Sequence, residues 1–516
     1  MHSLSGNRVY KLNETTQLRL NANYLHDFKR QERGSITNFY QTGDTATLTE
    51  QSDTHVRTDR AEVAVNLENN AESHYLTNNF SLSGNWESGT SYITGSSAAN
   101  QRIRTPDMGA QNYLQNIWAR DKYTLEVRSL LRYHNQPARI TIDGDRQSLD
   151  LQQLYMDHSL SFLRKKGNLT RQYTAGVTGD LNSLRNGTSL YFTPNYQLNR
   201  HKWNLSFNLP LVWTAFPEAD FSRLAVNPFF YINYKLNYAW RFSFHANYRE
   251  KYGDITDFYP DAYRTDYRNV RINNAIMPVN RTQSYSLYGE YKNTIREFFA
   301  TLSLGHNRGW SDRIFEQQVR DAQIALVSHR LSNHSSGWTL KGTFSKGFYD
   351  YGLKTSLNYL LGRNQAEQLS AGERLPYRYD FMQYEPKVIW TPVRSFAASY
   401  QATINVGRSK IGSDTDLTPL LNVVQKLQLS YELFPVEINL AVDHYHNDVS
   451  RDKAVNAFFA DLSFRWKTGS WQFTAEATNL FNKRQYSYTQ YSATESYTSW
   501  INIRPREFMV SARYRF

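Results

Sequence analysis

Near the end of the chain apolar and polar positions alternate strictly: Phe508, Val510, Ala512, Tyr514 and Phe516 fall on one side, Met509, Ser511, Arg513 and Arg515 on the other. Successive side chains of a strand point to opposite faces, so this segment predicts a strand lying between an apolar medium and a wet one. The stretch before it repeats the pattern, with Trp471, Phe473, Ala475 and Ala477 against Gln472, Thr474, Glu476 and Thr478. The clearest case is Trp240, Phe242, Phe244, Ala246 and Tyr248 against Arg241, Ser243, His245 and Asn247, paired with a preceding strand over 229–236. Long alternating strands with aromatic ends are the signature of a transmembrane β-barrel.

The same rhythm runs through the chain. A first strand is expected over 16–29, with Leu18, Leu20, Ala22 and Tyr24 on one face, followed by a long polar loop through His55. The segment 60–68 alternates, turns at Asn69-Asn70 and returns over 74–86. Tight turns then fall near Asp121, 165–168, 200–202, 237–239, 293–296, 349–351, 392–394, Pro435 and 468–470. Longer connections are expected over 87–109, 251–280, 309–321, 363–381, 408–420 and 483–499. The count is about 22 strands, and an even count ends the chain on the short-turn, periplasmic side. A lumen of that width is too wide for wall side chains to fill, which calls for a plug. The division expected is a residual linker over 1–13 and one barrel domain over 14–516, since no Pro/Gly/Ser-rich linker interrupts the rest.

Composition narrows the class. Hydrophobic residues make up 40% and mean hydropathy is −0.66, and no run approaches the roughly 18 apolar residues of a membrane helix, so a helical membrane protein is excluded. A barrel escapes that test because only alternate residues face lipid. The 37 tyrosines suit two membrane interfaces. The net charge of +12 is spread over strands and loops without a basic block, so no nucleic-acid partner is implied. The absence of cysteine removes disulfides and thiolate metal sites. No export signal precedes the first strand, so the chain is read as processed or N-terminally truncated.

Candidate chemistry is sparse. His444 and His446 share a strand face, but they continue the lipid-facing series Val436, Ile438, Leu440, Val442, which favours an interfacial girdle over a metal site. Asp414 and Asp416 lack the spaced ligand set of a calcium loop. No nucleophile motif is present, so neither enzyme activity nor a cofactor is expected. The most suggestive ligand surface is the long connection 251–280. It carries Tyr252, Phe258, Tyr259, Tyr263 and Tyr267 interleaved with Arg264, Arg268 and Arg271, pairing aromatic faces with guanidinium groups. The competing reading is a loop packed on its own rings.

The segment from Ala477 through Asn479-Leu480-Phe481-Asn482 to Tyr486 is similar to the Asn-Leu-Phe-Asn segment near the end of TonB-dependent outer-membrane receptors, and the terminal run from Arg504 to Phe516 resembles their closing strand. Gly253 to Tyr259, followed by Tyr285 to Tyr291, resembles the barrel half of that class. The resemblance implies a 22-stranded barrel in the bacterial outer membrane that imports a siderophore, oligosaccharide or peptide. It assigns Phe508, Val510, Ala512, Tyr514 and Phe516 to barrel closure and assembly. The partners implied are outer-membrane lipid, the barrel-assembly machinery, a surface lipoprotein, and the TonB complex where a plug is supplied from other sequence. The alternatives are a passive diffusion pore and a surface adhesin or binding scaffold without transport.

Overall fold

The computed structural model describes residues 2–40, 45–273, 277–320, 323–370, 372–412, 415–416, 419–450, 453–491 and 495–515. Apart from turns, connections and three short 3-10 turns, the described residues are β-strand, and the 32 strand segments join in one sheet. Neighbours around the wall are antiparallel, as tight turns between sequential strands require.

There are more strand segments than staves because proline and irregular backbone interrupt several staves. Trp203–Asn208 and Leu211–Phe216 are halves of one stave broken at Leu209-Pro210, and their neighbour breaks at Asn227-Pro228 between Phe221–Val226 and Phe229–Lys235. Proline has no N–H for the ladder, and the two breaks lie side by side, bridged by a bond from Asn227 N–H to the Pro210 carbonyl (2.9 Å). Merging such halves and setting aside five short strands within connections, Tyr263–Arg264, Asn269–Ile272, Ile314–Arg320, Gln323–His329 and Thr415–Asp416, leaves about 22 staves plus an additional strand at the start of the chain.

The tight turns lie close to where alternation places them. The connection expected over 251–280 does too, between Trp240–Tyr252 and Val279–Asn293, but strands Thr16–Tyr40, Thr45–Ala71, His74–Gly95, Ala99–Ala119, Leu353–Ser370 and Glu373–Val393 run through segments expected as loops. The physical reason is that a ladder needs only backbone partners. Where the wall rises above the apolar layer both faces meet water, alternation fades and pairing continues.

The outer face carries the apolar band. On Asn333–Phe348 the positions Trp338, Leu340, Phe344 and Phe348 point outward, with Trp338, Phe344 and Phe348 each well exposed. Ten residues of strand rise about 33 Å, or about 25 Å of height at the tilt of such walls, which matches the apolar band of a membrane barrel. Aromatic pairs collect beside the tight turns: Trp203 with Tyr234 (4.3 Å), Trp240 with Tyr291 (4.7 Å) and Trp471 with Tyr514 (4.9 Å between ring centres). Rings with an apolar body and a polar tip favour that depth. The protein is therefore an antiparallel transmembrane β-barrel of the outer-membrane type.

The wall closes on itself in its upper half, where Arg33–Phe39 of the strand Thr16–Tyr40 pairs with 495–501. There Gly34 lies directly across from Trp500, and a Cβ on Gly34 would meet the indole at 2.0 Å, so glycine makes room for the ring. The lower half differs. Residues 1–13, expected as a linker, include the strand His2–Lys11, which takes the edge of Thr16–Tyr40 from Gln17 to His26. The terminal strand Glu507–Tyr514 pairs with Trp471–Thr478 on one side and has no strand partner on the other among the described residues. Phe516 lies outside the described residues.

Candidate functional site

The long connection between strands Trp240–Tyr252 and Val279–Asn293 forms a roof over the barrel mouth. At its root the chain makes a turn of 3-10 helix, Ile255–Phe258, in which the Asp257 carboxylate accepts the Asp254 backbone N–H (3.0 Å). That same carboxylate is buried and takes the guanidinium groups of Arg271 (2.6 Å) and Arg313 (3.0 Å). Two cations around one buried carboxylate offset its desolvation, which neither could do from solvent. Next to it Arg185 is sandwiched between the rings of Phe258 (3.7 Å) and Phe216 (4.1 Å), donates to the Gly253 carbonyl (2.8 Å) and packs on Met277. Burial lowers its pKa to about 10, so it remains charged at neutral pH. Tyr252 joins this cluster and donates to the buried Glu250, which also holds Arg223 (2.6 Å) and Arg281 (3.0 Å).

From this root the connection runs to a small hairpin, Tyr263–Arg264 paired with Asn269–Ile272, turned by Asp266, which caps the N–H groups of Arg268 and Asn269. The hairpin tip reaches wall strands far from its root. The Tyr267 hydroxyl donates to Glu50 (2.6 Å) on Thr45–Ala71, Arg268 lies 3.4 Å from the same carboxylate, and the Tyr267 N–H donates to Gln101 (2.5 Å) on Ala99–Ala119. Gln147 on Asp145–Lys166 binds the hairpin twice, at the Ala262 carbonyl (3.0 Å) and the Arg264 N–H (2.8 Å). Burial first, then the hydrogen bond to Glu50, pushes the Tyr267 hydroxyl above its ordinary pKa, so it stays a donor. A second hairpin, Ile314–Arg320 with Gln323–His329, lies beside the first: Asn269–Ile272 pairs with it in parallel. It is held to the wall where Glu316 accepts the Gly372 N–H (2.9 Å), and the same carboxylate binds His329 across the hairpin (2.9 Å).

The residues expected on a ligand surface thus have definite places. Phe258 and Tyr263 are buried, Tyr259 packs edge-on against Tyr263 (5.5 Å), and Tyr252, Tyr267, Arg268 and Arg271 hold the connection to itself and to the wall. Arg264 lies 3.6 Å from the exposed Asp145. Sequence reading did not select Glu50, Gln101, Gln147, Arg185 or Glu250. Nothing local marks them, because each acquires its role from a partner distant in the chain.

Elsewhere on the lumen face of the wall, a cavity of about 590 Å³ is lined by the stacked rings of Tyr379 and Phe381 (5.7 Å) and by the amides of Gln383, Asn405, Asn422 and Asn447. These four amides sit directly across from one another on neighbouring strands. Rings beside a row of neutral donors and acceptors suit a polar ligand with flat apolar faces. His444 stacks on Phe458 (4.2 Å) and shares Asn456 with His446, a packing arrangement on the wall. Asp414 lies outside the described residues.

No protein-family model matches the chain, and no curated protein does. Among solved structures it is similar to the siderophore receptor PirA from Pseudomonas aeruginosa (11% identity, 92% of this chain and 80% of that one, TM-score 0.40). It is also similar to the ferric yersiniabactin uptake receptor FyuA from Yersinia pestis (9%, 94% and 80%, 0.41) and to the outer membrane transporter YddB from Escherichia coli (9%, 97% and 76%, 0.48).

Proposed function

We propose that the chain is the wall and roof of an outer-membrane receptor that captures a nutrient ligand on its long connections and admits it through a polar lumen. The observation that carries this reading is the latch of Tyr267 and Arg268 on Glu50, which ties a connection rooted on one side of the mouth to the wall on another. A passive pore has no need of such a strap. Hydrogen bonds to a charged group contribute about 1.5–3 kcal/mol each, whereas a micromolar ligand supplies about 8 kcal/mol. A ligand that competes for these groups can therefore shift the roof, provided it binds the open arrangement better. The ligand class favoured by the ring-and-amide cavity is neutral and polar, an oligosaccharide or peptide. Passage would be energised through the TonB complex acting on a plug within the lumen.

Planar-bilayer recordings of the purified chain test the reading. The unsubstituted protein should conduct in small, flickering steps, and Glu50→Gln combined with Tyr267→Phe should give larger, steadier ones. Wide, steady conductance in both would favour a passive pore. Electrical silence in both would favour an adhesin.

A further inference from the structure

The strands on which the roof lands carry charge on their other face. Alternation along Ala99–Ala119 and Thr124–Ile142 turns Gln101, Ile140 and Ile142 inward, where they are buried. It sends Arg102, Arg104 and Arg139 outward, where all three are exposed. Arg104 lies directly across from Arg139, and Arg102 stands one outward step higher, across from Thr141. Below them Met108, Leu131 and Tyr133 are well exposed on the same outward face. Met108 stands about ten residues above Trp118, beside the tight turn, so the apolar band of about 25 Å ends near it. Arg104, about four residues further on, lies about 10 Å higher, at head-group depth.

The wall leaves these three arginines unmatched. On the nearby strands Thr16–Tyr40 and Thr45–Ala71, the outward Arg30 holds Asp53 (2.7 Å) and Arg57 holds Asp59 (2.9 Å). Arg102, Arg104 and Arg139 have no ion pair, side-chain hydrogen bond or ring contact among the described residues. Their other neighbours across the ladder are Ser88, Thr90, Thr141 and Ser148, all neutral. Two carboxylates share the face: Asp143 accepts the Asn100 N–H (2.8 Å) in the turn, and Asp150 lies across from Pro137. Neither forms an ion pair with the three. Like charges directly opposed on a sheet destabilise it, so the Arg104–Arg139 pair is a cost that the bare wall does not offset. An anion between them turns that repulsion into two charge-assisted bonds. Guanidinium groups match phosphate through two parallel donors, and at this depth the phosphate is that of a lipid head group.

We propose that Arg102, Arg104 and Arg139 bind the phosphorylated head group of an outer-leaflet lipid, with one phosphate between Arg104 and Arg139, a second on Arg102, and acyl chains along Met108, Leu131 and Tyr133. The proposal rests on this face being the membrane side of the wall. The site stands back to back with the latch, since Gln101 precedes Arg102 on the strand and holds the Tyr267 N–H. A bound head group therefore braces, from outside, a strand on which the roof lands.

Native mass spectrometry of the full chain in detergent, with added diphosphorylated lipid A and with the same lipid after phosphate removal, tests the assignment. The unsubstituted protein should retain the diphosphorylated form at least about tenfold better than the dephosphorylated one, the worth of one charge-assisted contact. Arg104→Gln with Arg139→Gln should abolish that preference. In lipid-free detergent the same double variant should unfold at a temperature no lower than the unsubstituted protein, because it relieves the opposed charges. Arg57→Gln, at an outward arginine that Asp59 already matches, should leave retention unchanged. Equal retention of the two lipids, or retention of neither by a folded barrel, overturns the proposal. So does an undiminished preference in the double variant, an equal loss in Arg57→Gln, or a double variant that is less stable without lipid. Equal retention of phosphatidylglycerol overturns the second phosphate on Arg102. Those results leave the receptor reading intact, because its test is the conductance of the latch variants.

Discussion

A chain carrying Ala22→Cys and Ala512→Cys should form an intramolecular disulfide when oxidised in membranes, in competition with the pair Ala22→Cys and Gly6→Cys. The register of Arg33–Phe39 against 495–501, carried down without a break, sets Val510, Ala512 and Tyr514 opposite Tyr24, Ala22 and Leu20. That is the edge now taken by His2–Lys11, whose Leu4, Gly6 and Arg8 face the same three residues. Two strands therefore compete for one edge. The terminal strand brings an all-apolar outward face, whereas His2–Lys11 turns Arg8 toward lipid, which costs about 2–4 kcal/mol at mid-depth and little at an interface. An unpaired strand edge inside a bilayer costs more still, because no water satisfies its amides and carbonyls. Directly opposed antiparallel residues have Cα atoms about 4.5–5.5 Å apart, within disulfide range. The chain has no native cysteine to confuse the result. Asn23→Cys with Ser511→Cys or Ser5→Cys covers the alternate pairing geometry. Cross-linking through residues 511 and 512 is expected to dominate in the membrane. Cross-linking only through residues 5 and 6 would make His2–Lys11 a permanent stave and leave the terminal strand outside the closure.

The second large effect concerns the same strand. Val510→Arg should destabilise the barrel by about 2–4 kcal/mol, as expected for a cation near the bilayer midplane. Ala512→Arg should cost less, about 1 kcal/mol, because it lies one outward position from Tyr514, which packs on Trp471 in the tight-turn girdle. Met509→Arg should be mild: it faces the lumen side, directly across from Glu476. A urea refolding titration into lipid vesicles measures all three. Equal losses at 509 and 510 would place the strand in the wrong orientation.

Alternation made the wall readable, because a side chain facing lipid must be apolar whatever its neighbours are. Trp240 through Tyr248 and Phe508 through Tyr514 declare their faces without reference to any other segment. Tight turns were legible for the same reason, as places where alternation stops briefly. The strands above the membrane were not, since Arg30, Glu32 and Arg33 sit in a ladder whose two faces both meet polar surroundings, and nothing in such residues distinguishes strand from loop. The roof was half legible. Its aromatic and arginine content marked 251–280 as special, but its latch depends on Glu50 and Gln101, which lie 217 and 166 residues from Tyr267 in the chain.

The most direct test of the account is a lipid-quenching scan along Asn333–Phe348. Single cysteines at successive positions from 338 to 348, each carrying an environment-sensitive dye, are reconstituted with lipids bearing nitroxide on the acyl chain. The account predicts strong quenching at Trp338, Leu340, Phe344 and Phe348 and weak quenching at Thr339, Lys341, Thr343 and Ser345, with a period of two residues. Uniform quenching, or strong quenching at the odd positions, would contradict a barrel whose alternating outer face meets the membrane.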